Sequence, residues 1–132
     1  MAPYTQLATK ADFDTIVTPA IGKTIVIAYW PEDSTSNALV AALRKLLPPS
    51  SYAQHGVNDI YVFDAYALPE LGTQLDVSFV PTLLWFVDGV QDAIVWHEGV
   101  RIEGESVEAG VKRVVDRIKG AELGGSDEDS DW

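Results

Sequence analysis

Thr24-Ile25-Val26-Ile27-Ala28-Tyr29-Trp30 leads directly into Pro31-Glu32-Asp33-Ser34-Thr35-Ser36-Asn37, after which Leu39, Val40, Leu43, Leu46 and Leu47 recur. Branching at Cβ and aromatic bulk suit an extended, packed backbone, so the first seven residues predict a buried strand. The leucines and Val40 fall on one side of a 3.6-residue helix. Between them lies a tight polar loop. Strand, loop and helix in this order predict an α/β unit with a right-handed crossover to a parallel neighbour.

Other elements follow on either side. Tyr4 to Ala8 reads as an edge strand, and Lys10 to Val17 as a helix capped by Thr9 and stopped by Pro19 and Gly22. Pro48-Pro49 ends the helix that follows the loop, since proline lacks the N–H and clashes with the preceding turn. Val57 to Asp64 predicts an internal strand, and Pro69 to Leu75 a short helix with Leu68, Leu71 and Leu75 inward. Thr82 to Val87 and Ala93 to His97 predict two strands joined around Asp88-Gly89. Ser106 to Lys119 closes the chain as a helix with Val107, Val111, Val114, Val115 and Ile118 on its apolar stripe.

The loop and the Val77-Ser78-Phe79-Val80-Pro81-Thr82-Leu83-Leu84-Trp85-Phe86-Val87-Asp88-Gly89 stretch together resemble the thioredoxins over residues 4 to 120. In that family a Trp precedes Cys-x-x-Cys at a helix N-terminus, and a second signature ends in cis-proline and Thr before an apolar strand. With Trp30 as anchor the dithiol positions fall on Ser34, Thr35, Ser36 and Asn37, and the position of the family's buried Asp is Ala28. The resemblance implies a central mixed sheet of about five strands with helices on both faces. It also implies that Val80 offers its backbone to an extended peptide beside the loop, with Gly99 at the rim.

Composition narrows the function classes. A chain of 132 residues with 47% hydrophobic and 22% charged residues fits one globular domain, read as residues 1–120. Residues 121–132 read as a flexible acidic tail in which Ser126 precedes Asp127-Glu128-Asp129, a pattern resembling an acidophilic-kinase substrate. A net charge of −11 opposes nucleic acid and anionic lipid as partners. With no cysteine, disulfide chemistry, thiol catalysis and thiolate metal sites are excluded by inventory. No basic, apolar leader opens the chain and no apolar run is long enough to span a bilayer, so a cytoplasmic or nuclear protein is expected.

Three function classes remain. The leading expectation is a redox-inactive protein-binding module, of adaptor or chaperone type, holding a protein or extended peptide with Trp30, Pro31, Asp33, Ser34, Thr35, Ser36, Asn37, Val80, Pro81 and Gly99. Neither a catalytic residue nor a cofactor nor a metal is expected: His55 and His97 lack convergent partners and a nucleophile-elbow context. Ser34 or Ser36 reads as the helix cap, with Glu32 and Asp33 favouring its positive end. The second class is non-redox binding or transfer of a glutathione-like ligand at Ser34, against which the local acid counts. The third is an oligomeric subunit with an exposed apolar face that includes Trp85 or Trp96.

Overall fold

The computed structural model describes residues 4–121. The acidic tail lies outside them except for Ala121. Five strands form one sheet: β1 (Thr5–Gln6), β2 (Lys23–Tyr29), β3 (Val57–Asp64), β4 (Thr82–Val87) and β5 (Val90–Gln91). Their spatial order is β1-β3-β2-β4-β5, with β3 parallel to both β1 and β2, and β4 antiparallel to both β2 and β5. The mixed five-stranded sheet expected from the sequence is therefore present.

Helices cover both faces. Ile25 and Ile27 of β2 face one core with Leu39, Leu43 and Leu47 from the region of α2 (Ser34–Leu46) and Val111, Val114, Val115 and Ile118 from α5 (Val107–Gly120). Val26 and Ala28 face the other, with Leu7, Phe13, Val17, Phe63 and Leu71. Side chains alternate across a strand, so a run apolar at every position must be covered on both sides.

On the second face, α1 (Lys10–Asp12) begins with a reciprocal capping box between Thr9 and Asp12 and continues as a wider turn over Phe13–Val17. That turn closes with the Thr18 N–H donating to the Phe13 carbonyl at 3.2 Å. A single turn, α3 (Tyr52–His55), follows the two prolines, and α4 (Pro69–Gln74) buries Leu71.

Several boundaries differ from the sequence expectation for physical reasons. The central strand starts at Lys23 and stops before Trp30, whose N–H donates to Ser36 Oγ instead of the ladder. Lys23 is buried, with its ammonium donating to the Ile118 carbonyl at 2.6 Å near the negative end of α5. The hairpin turns at Asp88 and Gly89, both with positive φ, as a two-residue turn with this twist requires. Residues 93–97, expected as a strand, are irregular. Asp92 caps the Ile94 N–H, the Trp85 indole donates to the Ile94 carbonyl at 2.8 Å, and only Trp96 bridges to β4 at Leu83. Side chains thus satisfy backbone groups that a ladder would otherwise claim.

Trp85 and Trp96 are each 0% exposed, which overturns their place on an exposed apolar face.

Candidate functional site

Topology gathers three loops at one end of the sheet. In the register Tyr29 pairs with Asp64 across parallel strands, and Ala28 with Thr82 across antiparallel ones. The exits of β2 and β3 therefore lie beside the entrance to β4. The Ala65 N–H donating to the Tyr29 carbonyl at 3.0 Å ties the first two loops together. The bridge from Leu83 to Trp96 then brings residues 97–99 alongside. Open α/β sheets commonly bind ligands beyond the strands' carboxyl ends, where such loops meet.

The first loop is held by one carboxylate. Asp33, not Ser34 or Ser36, is the N-cap of α2: its Oδ2 accepts the Ser36 N–H at 2.8 Å and the Ser36 hydroxyl at 2.9 Å. Ser36 is buried and its hydroxyl oxygen accepts the Trp30 N–H at 3.2 Å, fixing where Trp30 leaves the strand. Asp33 takes the cap because the backbone is still extended there, whereas Ser34 already belongs to the helix. The helix accordingly begins at Ser34, so Ser34 to Asn37 form its first turn and not part of the loop. Asn37 donates to the Pro31 carbonyl at 3.2 Å. Ser34 is exposed and Thr35 half-buried, and neither side chain hydrogen-bonds among the described residues.

On the opposite side the Val80–Pro81 peptide is cis, and Thr82 Oγ1 donates to the Phe79 carbonyl at 2.6 Å. No intramolecular hydrogen bond among the described residues uses the Val80 N–H or carbonyl. Gly99 lies against a ring pair. Phe79 and His97 stack with centroids 4.6 Å apart, and a Cβ on Gly99 would stand 2.8 Å from each ring. The Gly99 N–H donates to His97 Nδ1 at 2.9 Å, so the neutral ring carries its proton on Nε2. Arg101 then clamps the following segment, bonding Glu98 and the Glu105 carbonyl.

Tyr66 connects the two sides. Its ring meets Trp30 edge-on at 5.4 Å, and with Ala65, Pro69, Val77 and Val80 it lines an open cavity of about 310 Å³. Trp30 and Phe79 are each 40% exposed and Tyr66 66%. Trp30 thus meets Tyr66, Tyr66 and Val80 line one cavity, and Phe79, next to Val80 in sequence, stacks on His97 beside Gly99.

Tyr66 and Phe79 were missing from the sequence-derived set. The signal for Tyr66 was local: Asp64 Oδ1 accepts the N–H groups of Tyr66 and Ala67, an Asx turn that stands the ring up at the strand exit. Phe79 was legible only as part of the proline motif.

Chemically, the arrangement offers backbone groups and aromatic faces. Without cysteine the chain cannot act as a disulfide oxidoreductase. Among the described residues no three His, Asp or Glu side chains are grouped to hold a metal, and no helix is long and apolar enough to cross a membrane.

No protein-family model matches the chain, and no curated protein matches it in sequence. Solved structures do. Mitochondrial thioredoxin 3 from Saccharomyces cerevisiae matches with a TM-score of 0.66 at 18% identity, over 89% of this chain and 95% of that one. Malassezia sympodialis thioredoxin gives 0.67 at 12% identity, over 90% and 96%. Human ERp44 gives 0.66 at 17% identity over 90% of this chain, using 29% of its own length. The chain therefore has a thioredoxin-like fold in which the loop after the central strand carries no thiol.

Proposed function

We propose that this protein is a binding module that holds an extended segment of another protein across the surface between Trp30, Val80 and Gly99, in an adaptor or chaperone-type role. The observation that carries the reading is the unused N–H and carbonyl of Val80, flanked by exposed aromatic rings. An extended chain that pairs with such groups gains main-chain hydrogen bonds, while alternate side chains find pockets. The open cavity of about 310 Å³ beside Tyr66 and Val77 has room for an apolar side chain. Neither contact needs sulfur.

Charge narrows the partner. No lysine or arginine occurs between residues 46 and 100, the stretch that supplies Tyr66, Val80 and Gly99. Asp64, Glu70 and Asp76 flank the cavity in sequence, and Glu32 and Asp33 precede α2. Such a field favours a segment with an apolar residue and flanking Lys or Arg. The chain's own acidic end has the wrong sign to compete.

The test is retention of the protein on arrayed unstructured peptides, with cationic and anionic isomers around one apolar residue. Retention should favour the cationic set, weaken with salt and drop with Trp30→Ala. Equal retention by Trp30→Ala, or none on any peptide, would overturn the reading.

A further inference from the structure

A second cavity, of about 440 Å³, lies on the other side of the Trp30 loop, between α2 and the β1 edge of the sheet. Asn37, Val40 and Arg44 recur along one face of α2 and meet Tyr4 and Gln6 of the β1 region, Val62 of β3, and Tyr29 and Pro31. In a chain with 20 acidic residues this lining contains no carboxylate. Its single charge is Arg44.

Arg44 is placed unusually for this protein. Lys10, Lys45, Arg101, Lys112, Arg113 and Arg117 each lie within 4.0 Å of a carboxylate oxygen, whereas Arg44 has no such partner among the described residues. Its guanidinium lies 4.7 Å over the Tyr4 ring, an arrangement that holds the plane by its face. Arg44 Nε and the Tyr4 hydroxyl are both closed to solvent and neither completes a hydrogen bond of good geometry, although the two side chains lie close enough to interact with each other. Burial, with Tyr52 adding to it and Arg44 opposing, pushes the Tyr4 phenol well above its ordinary value, so it stays a donor.

From this geometry we infer that the cavity is a binding site for a small planar carboxylic acid, its carboxylate on Arg44 and its flat apolar body among Tyr4, Tyr29, Val40 and Val62. A stacked guanidinium presents its edge as a fork that matches a carboxylate bidentately. The volume falls within the range of small-molecule sites and is too small for a folded partner. Asn37 and Gln6 supply neutral amides for a further polar group. This inference stands apart from the proposed peptide surface, which uses the opposite side of the loop.

Benzoate is the probe, with benzamide and inorganic phosphate as controls, in a two-dimensional ¹H–¹⁵N titration of the full chain at constant ionic strength. Benzoate should give saturable shifts confined to Tyr4, Gln6, Asn37, Val40 and Arg44, with half-saturation in the millimolar range expected of a fragment. Benzamide should not saturate, which establishes the need for charge. Phosphate should not either, which establishes the need for the apolar body. Arg44→Met keeps the aliphatic bulk and should weaken benzoate by about tenfold or more, while Arg44→Lys, which retains charge without the fork, should lie between. Should Arg44→Met fail to fold, Arg44→Lys decides: affinity equal to the parent overturns the fork. Shifts that never saturate, phosphate binding as tightly as benzoate, or full benzoate affinity in Arg44→Met would each overturn the site.

Discussion

Gly110 on the inner face of α5 is the position at which a single methyl group tests the packing behind the candidate site. An ideal Cβ there would stand 2.1 Å from Trp96 Nε1, 2.7 Å from Cδ1 and 2.9 Å from Cε2. Comfortable contact needs about 3.5 Å, so the helix and the indole must part by more than roughly 1 Å. Trp96 is fully buried and cannot swing outward, and its backbone is bonded to Leu83 in both directions. Forced overpacking costs about 1–3 kcal/mol. Replacing glycine by alanine inside a helix returns about 1 kcal/mol at most. Since a rigid ring stands in the way, the upper part of the overpacking range applies, and Gly110→Ala should destabilise by about 2 kcal/mol, lowering Tm by roughly 6–10 °C for a domain of this size. Gly99→Ala is the internal control. Its Cβ also meets rings, at 2.8 Å, but Phe79 is 40% exposed and His97 only half-buried, so both can shift and the loss should be smaller than that of Gly110→Ala, below about 1 kcal/mol. Urea unfolding followed by circular dichroism measures both. A Gly110→Ala protein as stable as its parent would refute the packing of α5 on Trp96, and with it the support for residues 97–99.

Three further outcomes follow from the same geometry. Asp33→Ala removes the acceptor of two Ser36 donors and should cost about 1 kcal/mol in urea unfolding, most of it recovered by Asp33→Asn; no loss would place the cap elsewhere. Glu105 is lowered from its ordinary 4.5 to about 2 chiefly by its paired bonds to Arg113, so its contribution is complete above about 4.5 and lost as pH falls toward 2. The difference in unfolding midpoint between the parent and Glu105→Gln should therefore shrink across that window, and a constant difference would contradict the pairing. Because Ser34 and Asn37 lie three residues apart in the first turn of α2, the double variant Ser34→Cys, Asn37→Cys should close an intrachain disulfide under mild oxidant; two thiols still titratable with Ellman's reagent would mean the turn is misplaced.

How much of this was legible beforehand depends on the range of the interaction. Thr9 was legible as a cap and Ser106 as a helix start, because both act within three residues; the reciprocal bond from Asp12 was added by the structure. The capping role of Asp33 was misassigned to the serines beside it, since residue type alone ranks all three as good caps and only backbone direction chooses. Residues 93–97 read as a strand by composition, yet Trp85, from a different element, took the Ile94 carbonyl. Asp64 gave a local turn signal for Tyr66, but what Tyr66 and Phe79 stand beside was set only by the register that puts Tyr29 beside Asp64 and Ala28 beside Thr82.

The sequence alone determined that this is an α/β domain without sulfur chemistry, because an inventory of atoms and a periodicity of apolar residues are both local properties of the chain. Tertiary structure alone decided which loops share an edge, that Trp85 and Trp96 are interior, and that Arg44 faces a cavity free of carboxylates. Those facts depend on strand order and register, set by the burial of two cores at once, and pairwise spacing along a chain does not encode them.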